Sequence, residues 1–455
     1  MFNVLIAKFI SDPTPFPKSV LISNMNKGTS TATKWLCDSP IHSDVEAKLR
    51  DLLVELGNAD KILGIQVCAY KDGKVIIDTA AGVMGADDPR PVQPDTLFPV
   101  FSATKGVTAG MIHWLADKGI LKLDDNVANF WPEFAVNGKD QIKVHHILNH
   151  TSGLHNALSD IIGDHVSLCN WEECVKRIAM ASPETEPGCE QIYHYMSYGW
   201  LCGGIIEHAS GKKFKDVLEE AFVRPLNLEG ELYIGIPPGV ESRLVTSAFD
   251  TSEFRSPPPP PTAAPPVDKQ PYGAMPATLG PSVLPSLVNL TNMLDFRRAI
   301  QPAGNGNFSA RALARYYAAL VDGGAIPSPH SSTTDSHTTA VTKIFKNPKS
   351  KIHDAFLATG DFKDFALPDG TFGLGFKRIK SAEGLVIGFG HAGLGGSTGY
   401  GDIHNRFSIS VMINKMSFKA LATAEVIRFV CSELDLPVPE DYTISREFVK
   451  KPLIN

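Results

Sequence analysis

The fold of this chain is inferred first from the segment FPVFSATKGVTAGMIHWLADKG, residues 98–119. Its apolar residues recur at three- and four-residue steps: Val107, Met111, Trp114 and Leu115. This spacing predicts a helix with one buried face, and Gly119 is typical of the residue that ends a helix. Ser102 then falls at the predicted helix start, in the N-cap position, and Lys105 follows in the first turn.

Ser102 and Lys105 form a Ser-x-x-Lys pair that is suited to nucleophilic chemistry. Residues three apart on a helix share a face, so the amine can reach the hydroxyl. A serine hydroxyl needs a base to take its proton, and a neutral lysine can be that base. The positive field of a helix N-terminus, together with burial, would lower the pKa of Lys105 from about 10.4. The pair alone is not specific, because an N-cap beside a surface lysine gives the same pattern, and Ser210 to Lys213 repeats the spacing at a predicted helix end.

The flanking segments predict one antiparallel sheet whose strands come from both ends of the chain. Alternating and apolar runs indicate strands at 62–70, 74–82, 371–379, 384–390 and 406–414. Amphipathic stretches indicate helices at about 42–57 and 419–434, and the middle of the chain is mostly helical. The pattern predicts an α+β fold, in which a sheet with flanking helices packs against a mainly helical lobe.

The predicted domain organisation is an N-terminal tail with little fold, residues 1–40, followed by a single domain, residues 41–455. The sheet lobe is assigned to about 41–100 and 365–455, and the helical lobe to about 101–364. A proline run, SPPPPPTAAPP at 256–266, can be neither helix nor central strand. It is interpreted as a surface insertion, with a docking segment for a partner as the alternative.

Composition excludes several classes of function. The 455 residues are 43% hydrophobic and 20% charged, as in globular proteins, and carry a net charge of −6 that opposes binding to nucleic acid or anionic membrane. No apolar run reaches the roughly 18 residues of a membrane helix. The scattered spacing of the seven cysteines is typical of reduced thiols. A cytoplasmic location is therefore expected, and organellar targeting stays open as the alternative. The expected partner is a small molecule, and the oligomeric state is left open.

Further segments make the sequence resemble a known family. They are IKVHHILNHTSGL (142–154), PGCEQIYHYMSYGWLCGGIIE (187–207), PAGNGNFSARALARYYAALVDGG (302–324) and GFGHAGLGGSTGYGD (388–402). With the first segment they resemble the β-lactamase-related serine hydrolases. These include class C β-lactamases, penicillin-binding carboxypeptidases, family VIII carboxylesterases and a fungal polyketide acyltransferase. The sequence is also similar to the β-lactamase-like part of plant ABC1 kinase fusion proteins. The resemblance implies a β-lactamase/transpeptidase-like fold.

The resemblance implies roles for individual residues. Ser102 would be the nucleophile and Lys105 its partner. Tyr195, which begins a Tyr-x-Ser motif, would be the tyrosine whose hydroxyl lies near both. Tyr193 and Tyr198 are close enough in sequence to be the alternatives. A tyrosine beside an ammonium group can hold or share a proton at neutral pH, so it can assist as base or acid.

The resemblance also implies a substrate-binding edge. The family's Lys-Thr-Gly element reads His-Ala-Gly here, with His391 and Gly393 facing the substrate. The N–H group of Leu394 would join that of Ser102 as the oxyanion hole. Ser197, the last residue of the Tyr-x-Ser motif, is assigned to the same binding region. Histidine in place of lysine removes a permanent cation. In this respect the His-Ala-Gly element is more similar to the esterase and acyltransferase branches of the family.

The predicted function is a serine hydrolase that cleaves an ester or amide of a small molecule through a Ser-Lys-Tyr acyl-enzyme. An acyltransferase that uses the same intermediate is one alternative, and a non-catalytic scaffold of the same fold is another. No cofactor and no metal are predicted, because no His, Cys or Asp set has zinc-site spacing. The glycine-rich run 394–401 lacks the Lys-Ser/Thr of a phosphate-binding loop.

Overall fold

The computed structural model describes residues 35–161, 163–250, 284–328 and 343–443. The proline run 256–266 and most of the predicted tail lie outside the described residues. The helices are α1 Asp44–Asn58, α2 Thr104–Asp117, α3 Val144–Leu148, α4 His165–Leu168, α5 Trp171–Met180, α6 Ser197–Ser210, α7 Phe214–Leu218, α8 Leu284–Asn292, α9 Leu294–Arg298, α10 Ala310–Val321, α11 Lys349–Leu357 and α12 Leu421–Glu433.

The strands form one large sheet and two small ones. They are β1 Gly64–Lys71, β2 Lys74–Gly82, β3 Phe98–Pro99, β4 Leu232–Ile234, β5 Ala248–Phe249, β6 Gly306–Phe308, β7 Lys377–Lys380, β8 Val386–Ala392, β9 Thr398–Asp402, β10 Phe407–Ile413 and β11 Lys415–Met416. The large sheet has the order β2-β1-β10-β9-β8-β7 and is antiparallel throughout. Ile65 in β1 pairs with Ile413 in β10. The prediction of a sheet built from both chain ends, and with it the α+β fold, is confirmed.

Alternation along β1 assigns the two faces of this sheet. Ile65 and Val67 lie in the apolar cluster formed with α1 and α12. Cys68 and Tyr70 point to the opposite face and join the larger core that contains α10 and the remaining helices. Successive strand residues point to opposite faces, so one strand anchors both layers. The sheet is thus covered on both sides, and α2 packs in the larger core.

Two strand predictions needed correction. The predicted strand 371–379 begins only at Lys377, because Gly375 has φ +90° and the N–H of Gly373 bonds Phe376 O, which folds the chain back. Strand β9 was missed because its glycines are unfavourable in strands. A Cβ on Gly401 would lie 2.3 Å from Val321 Cγ2. Glycine therefore allows α10 to pack directly on this strand.

The lobe boundaries also differ from the prediction. Leu36 forms an antiparallel bridge with Ala81, and the N–H of Cys37 donates to Ala80 O. The fold therefore begins before residue 41. Helix α10 falls within the predicted helical lobe, yet it packs on the large sheet.

Among the described helices, none combines the length and apolar character that a membrane span requires.

Candidate active site

The turn that carries Ser102 is set by an unusual backbone. Phe101 has φ +48°, a conformation that L-residues rarely adopt, and it opens a 3-10 turn, Phe101–Ala103. Helix α2 begins after it with Ala103 as N-cap, so the prediction that Ser102 caps the helix is wrong. Thr104 fixes the turn, since its hydroxyl donates to Phe101 O at 2.6 Å and accepts from the Gly306 N–H at 2.9 Å. The Ser102 hydroxyl is left available for chemistry.

Lys105 lies beneath this hydroxyl and is only 1% exposed. Its Nζ donates to Ser102 Oγ at 3.2 Å, to Tyr195 O at 2.8 Å and to Ala303 O at 2.9 Å. All three acceptors are uncharged, and no carboxylate of the described residues pairs with the ammonium. The Ala303 carbonyl, which sequence reasoning did not single out, comes from the Pro-Ala-Gly-Asn segment before β6.

Burial changes the protonation of Lys105. Desolvation lowers the pKa of the amine to about 7, and the nearby Cys202 opposes the shift. A large fraction of the amine is therefore neutral at physiological pH, where a free lysine is almost fully charged. A neutral amine 3.2 Å from the Ser102 hydroxyl can accept its proton.

The structure brings Tyr193, and not the Tyr195 hydroxyl, to this pair. The Tyr193 ring centroid lies 5.0 Å from Lys105 Nζ, and the Ser102 side chain lowers the pKa of the Tyr193 hydroxyl, against the larger effect of burial. Its hydroxyl is 3.5 Å from His391 Nε2. The Tyr195 hydroxyl is buried and bonds no group in the described part of the chain. Tyr195 thus contributes its carbonyl oxygen, and the predicted proximity of its hydroxyl to Ser102 and Lys105 is not found.

Both tyrosines are neutral phenols at neutral pH. Burial raises the pKa of Tyr195 to about 12. Burial also raises the pKa of Tyr193, although the Ser102 side chain acts in the opposite direction. Tyr193 and Lys105 thus both lie beside the Ser102 side chain.

Ser197 is not brought to the nucleophile. It is the first residue of α6, and its hydroxyl donates to His155 O at 3.4 Å. The predicted substrate-binding role of Ser197 therefore has no contact in this structure that supports it.

The end of β8 lies directly against the nucleophile turn. A Cβ on Gly393 would stand 2.1 Å from Val100 O, so only glycine permits this approach. The Gly393 N–H donates to Ser397 O at 2.7 Å and is thereby occupied. The N–H groups of Ser102 and Leu394 have no acceptor among the residues described. They are the backbone donors left to bind a substrate oxygen at this junction.

The remaining predicted site residue, His391, is buried in β8 beside Tyr193. Its Nδ1 lies 3.0 Å from Ala392 O. Burial and then the charge of Lys105 lower the pKa of His391 to about 3, so the imidazole is neutral at physiological pH. The strand edge therefore presents an uncharged ring where a lysine would present a cation.

Comparison with known proteins assigns this chain to a family. The sequence model of the family described as Beta-lactamase matches residues 49–431. The chain belongs to the β-lactamase family. The resemblance noted from the sequence and the predicted enzyme class, a serine hydrolase, are confirmed at that level.

Individual relatives in the β-lactamase family extend over most of the chain. Esterase/beta-lactamase LipL of Mycobacterium tuberculosis is 30% identical over 356 residues, covering 78% of this chain and 77% of LipL. A penicillin-binding protein homologue from Caulobacter crescentus is 27% identical with a TM-score of 0.68, covering 88% of this chain and 99% of that one. A family VIII carboxylesterase gives the same TM-score at 23% identity, covering 87% and 99%. The β-lactamase/transpeptidase-like fold is confirmed.

The described residues of this β-lactamase family member hold no group of three His, Cys, Asp or Glu side chains placed to bind a metal ion. All seven cysteines are free thiols.

Proposed function

We propose that this protein is a serine esterase that forms an acyl-enzyme on Ser102. The observation that carries the proposal is the Lys105 amine, buried without a carboxylate and 3.2 Å from Ser102 Oγ. A lysine held in this way costs folding energy and contributes little to packing, whereas a lowered pKa is what a general base requires. The name of the relative LipL, an esterase and β-lactamase, supports the same reaction class.

In the acylation step, Ser102 Oγ attacks the ester carbonyl carbon while its proton passes to Lys105 Nζ. The carbonyl oxygen becomes an oxyanion, which the N–H groups of Ser102 and Leu394 would bind. Such donors contribute about 3 kcal/mol each to transition-state stabilisation. The tetrahedral intermediate expels the alkoxide, which takes a proton from Tyr193, and Lys105 returns its proton to Tyr193. The alcohol leaves and the acyl group stays on Ser102.

In the second step a water molecule attacks the acyl carbonyl carbon and loses its proton to Lys105 Nζ. The tetrahedral intermediate then collapses, the bond to Ser102 Oγ breaks, and Lys105 returns the proton to Ser102 Oγ as the acid leaves. Hydrolysis and acyl transfer share the acyl-enzyme, so an alcohol that enters in place of water would give a new ester. The rate of acid formation with and without added alcohol acceptors measures the partition between the two reactions. Hydrolysis is the proposed function, and acyl transfer is the alternative that this measurement tests.

Burst kinetics with p-nitrophenyl esters test the proposal directly. If an acyl-enzyme accumulates, p-nitrophenol is released in a burst equal to one molecule per protein chain. Mass spectrometry should then place the acyl group on the peptide that contains Ser102. Turnover that persists in Ser102→Ala would contradict an acyl-enzyme on Ser102, and absence of turnover with every ester would favour the scaffold alternative.

The neutral His391 predicts a preference for uncharged esters over penicillin-type lactams. A lost charge-assisted hydrogen bond to the lactam carboxylate corresponds to about 1.5–3 kcal/mol, or roughly 10- to 100-fold in kcat/KM. We expect kcat/KM for benzylpenicillin to fall below that for a p-nitrophenyl ester by at least this factor at pH 7.5. His391→Lys, which returns a cation, should narrow the ratio. Comparable values for the two substrates in the wild type would show that the substrate carboxylate is bound elsewhere.

A pair of tyrosine variants separates the two candidate hydroxyls. Tyr193→Phe is expected to slow acylation by roughly 10²-fold or more, the usual contribution of a general acid or base. Tyr195→Phe should stay within a few-fold of wild type, because only the carbonyl of Tyr195 contacts Lys105. The acylation rate is measured by stopped-flow release of p-nitrophenol. The reverse order of effects would restore the assignment made from the sequence.

A further inference from the structure

His150 packs against Tyr193 and has an unfavourable backbone conformation. It follows α3 in the loop that begins the His-Thr-Ser-Gly motif, it has φ +64°, and it is 1% exposed. Left-handed backbone at a bulky residue persists only where surrounding contacts require it, and such residues cluster at functional sites. The contacts of His150 show what the conformation provides.

His150 bonds the backbone on both sides of Tyr193. Its carbonyl oxygen accepts from the Ile192 N–H at 3.0 Å. Its ring Nδ1 accepts from the His194 N–H at 3.2 Å. Between these two bonds the His150 ring lies against the Tyr193 ring, with a centroid distance of 4.7 Å. One residue therefore fixes the peptide groups before and after Tyr193.

The segment around Tyr193 has no regular structure of its own to hold it. Residues 191–194 belong to neither helix nor strand, so their backbone groups need partners from elsewhere. The side chain of His194 bonds Ile192 O through Nδ1 at 2.6 Å and Ser152 Oγ through Nε2 at 2.8 Å. The loop at residues 150–152 therefore supplies the hydrogen bonds to this segment that a neighbouring strand would otherwise give.

We propose that His150 is a positioning residue, which holds the Ile192 and His194 backbone so that Tyr193 stays packed beside Lys105 at the nucleophile. The inference rests on the proposed function, because it assigns His150 a role only through Tyr193. His150 touches neither the reacting atoms nor Lys105 in this arrangement. Its effect should therefore appear in the rate of acylation, while the binding of the substrate stays nearly unchanged.

Two variants that both accept left-handed backbone test this role. His150→Asn keeps the conformation and places Oδ1 where Nδ1 accepts the His194 N–H. His150→Gly keeps the conformation and loses the acceptor. We expect the Gly variant to acylate up to roughly 100-fold more slowly with little change in KM, since small misplacements of catalytic groups have effects of this size. The Asn variant should recover most of the rate. Equal rates for the two variants would overturn the proposal.

His353→Ala is the matched control for loss of a buried histidine. His353 is also buried, and its Nε2 lies 3.0 Å from Leu320 O, away from the Tyr193 segment. Thermal denaturation of each variant shows whether it is folded. The control is expected to lose stability while its acylation rate stays within a few-fold of wild type. A comparable loss of rate in this control would mean that general loosening of the fold explains the His150 effect.

A double-mutant cycle separates failure of this inference from failure of the proposed function. If Tyr193→Phe alone leaves acylation unchanged, Tyr193 has no catalytic role and the proposed mechanism is wrong. If Tyr193→Phe slows acylation, then adding His150→Gly should slow it little further, because both changes remove the same hydroxyl contribution. Effects that simply multiply would show that His150 acts independently of Tyr193 and would overturn the positioning role.

Discussion

Ser102→Ala is expected to abolish ester turnover and labelling by a fluorophosphonate probe while leaving the protein folded. Removal of a catalytic serine typically lowers kcat by roughly 10⁴- to 10⁶-fold. Ser102 does not cap α2, and the Lys105 amine keeps its bonds to Tyr195 O and Ala303 O when the hydroxyl is removed, so little stability depends on the hydroxyl. Burst amplitude and probe labelling measure the loss of activity, and a thermal melt shows whether the variant is folded.

The chain supplies its own control for that variant. Ser210 and Lys213 repeat the Ser-x-x-Lys spacing, yet the Ser210 hydroxyl donates to Ile206 O at 2.6 Å and Gly211 ends the helix with φ +67°. Lys213 has 75% of its side chain exposed. Ser210→Ala should therefore keep wild-type turnover. Labelling that persists in Ser102→Ala and maps to Ser210 would overturn the assignment of the nucleophile.

Lys105→Arg is expected to be nearly as damaging as Lys105→Ala, with acylation slowed by roughly 10³-fold or more. Arginine keeps the positive charge but does not give up its proton in the working pH range. In the wild type the acylation rate should rise with pH along a limb centred near 7, because the pKa of Lys105 is about 7 and only the neutral amine accepts a proton. Below that pH the ammonium form predominates and the rate should fall tenfold per pH unit. The measurement is the pre-steady-state acylation rate as a function of pH.

Lys139→Arg provides the matched control for replacing a buried lysine. Lys139 is also fully buried, donates to Val136 O at 2.8 Å and to Ala181 O, and has its pKa lowered by burial to about 8. None of these contacts involves Ser102. The variant should lose stability and keep its acylation rate. If Lys105→Arg also acylates within a few-fold of wild type, Lys105 is only an electrostatic neighbour and another group must be the base.

The Ser-Lys pair was accessible from the sequence because a three-residue spacing brings the two side chains to one face of a 3-10 turn as well as of an α-helix. The choice between Tyr193 and Tyr195 was not accessible in this way. Tyr193 and Tyr195 both lie in a segment without helix or strand, where no periodicity indicates the direction of a side chain. The backbone on either side of Tyr193 is bonded by His150, a residue about forty positions earlier in the chain, and such long-range contacts leave no local pattern.

For the fold, too, the elements with a local apolar pattern were predicted and those without one were missed. The large sheet and its flanking helices α1 and α12 were predicted because their apolar residues follow strand and helix periods. Strand β9 was missed because the close approach of α10 requires glycine at 399 and 401, which removes the apolar signal. The N-cap assignment of Ser102 failed for a comparable reason, since the φ of +48° at Phe101 inserts a 3-10 turn that spacing does not reveal.

The order of strands in the large sheet has a consequence for synthesis on the ribosome. Ile65 in β1 pairs with Ile413 in β10, so the sheet closes only after the C-terminal strands emerge. At about 5–20 residues per second, the roughly 350 residues between them take about 20–70 s to translate. A nascent chain therefore carries Ser102 and Lys105 long before the β8 end that meets them. Under the proposed mechanism the N–H of Leu394 reaches the Ser102 turn only then, so ester cleavage is expected to begin only after the sheet has been synthesised.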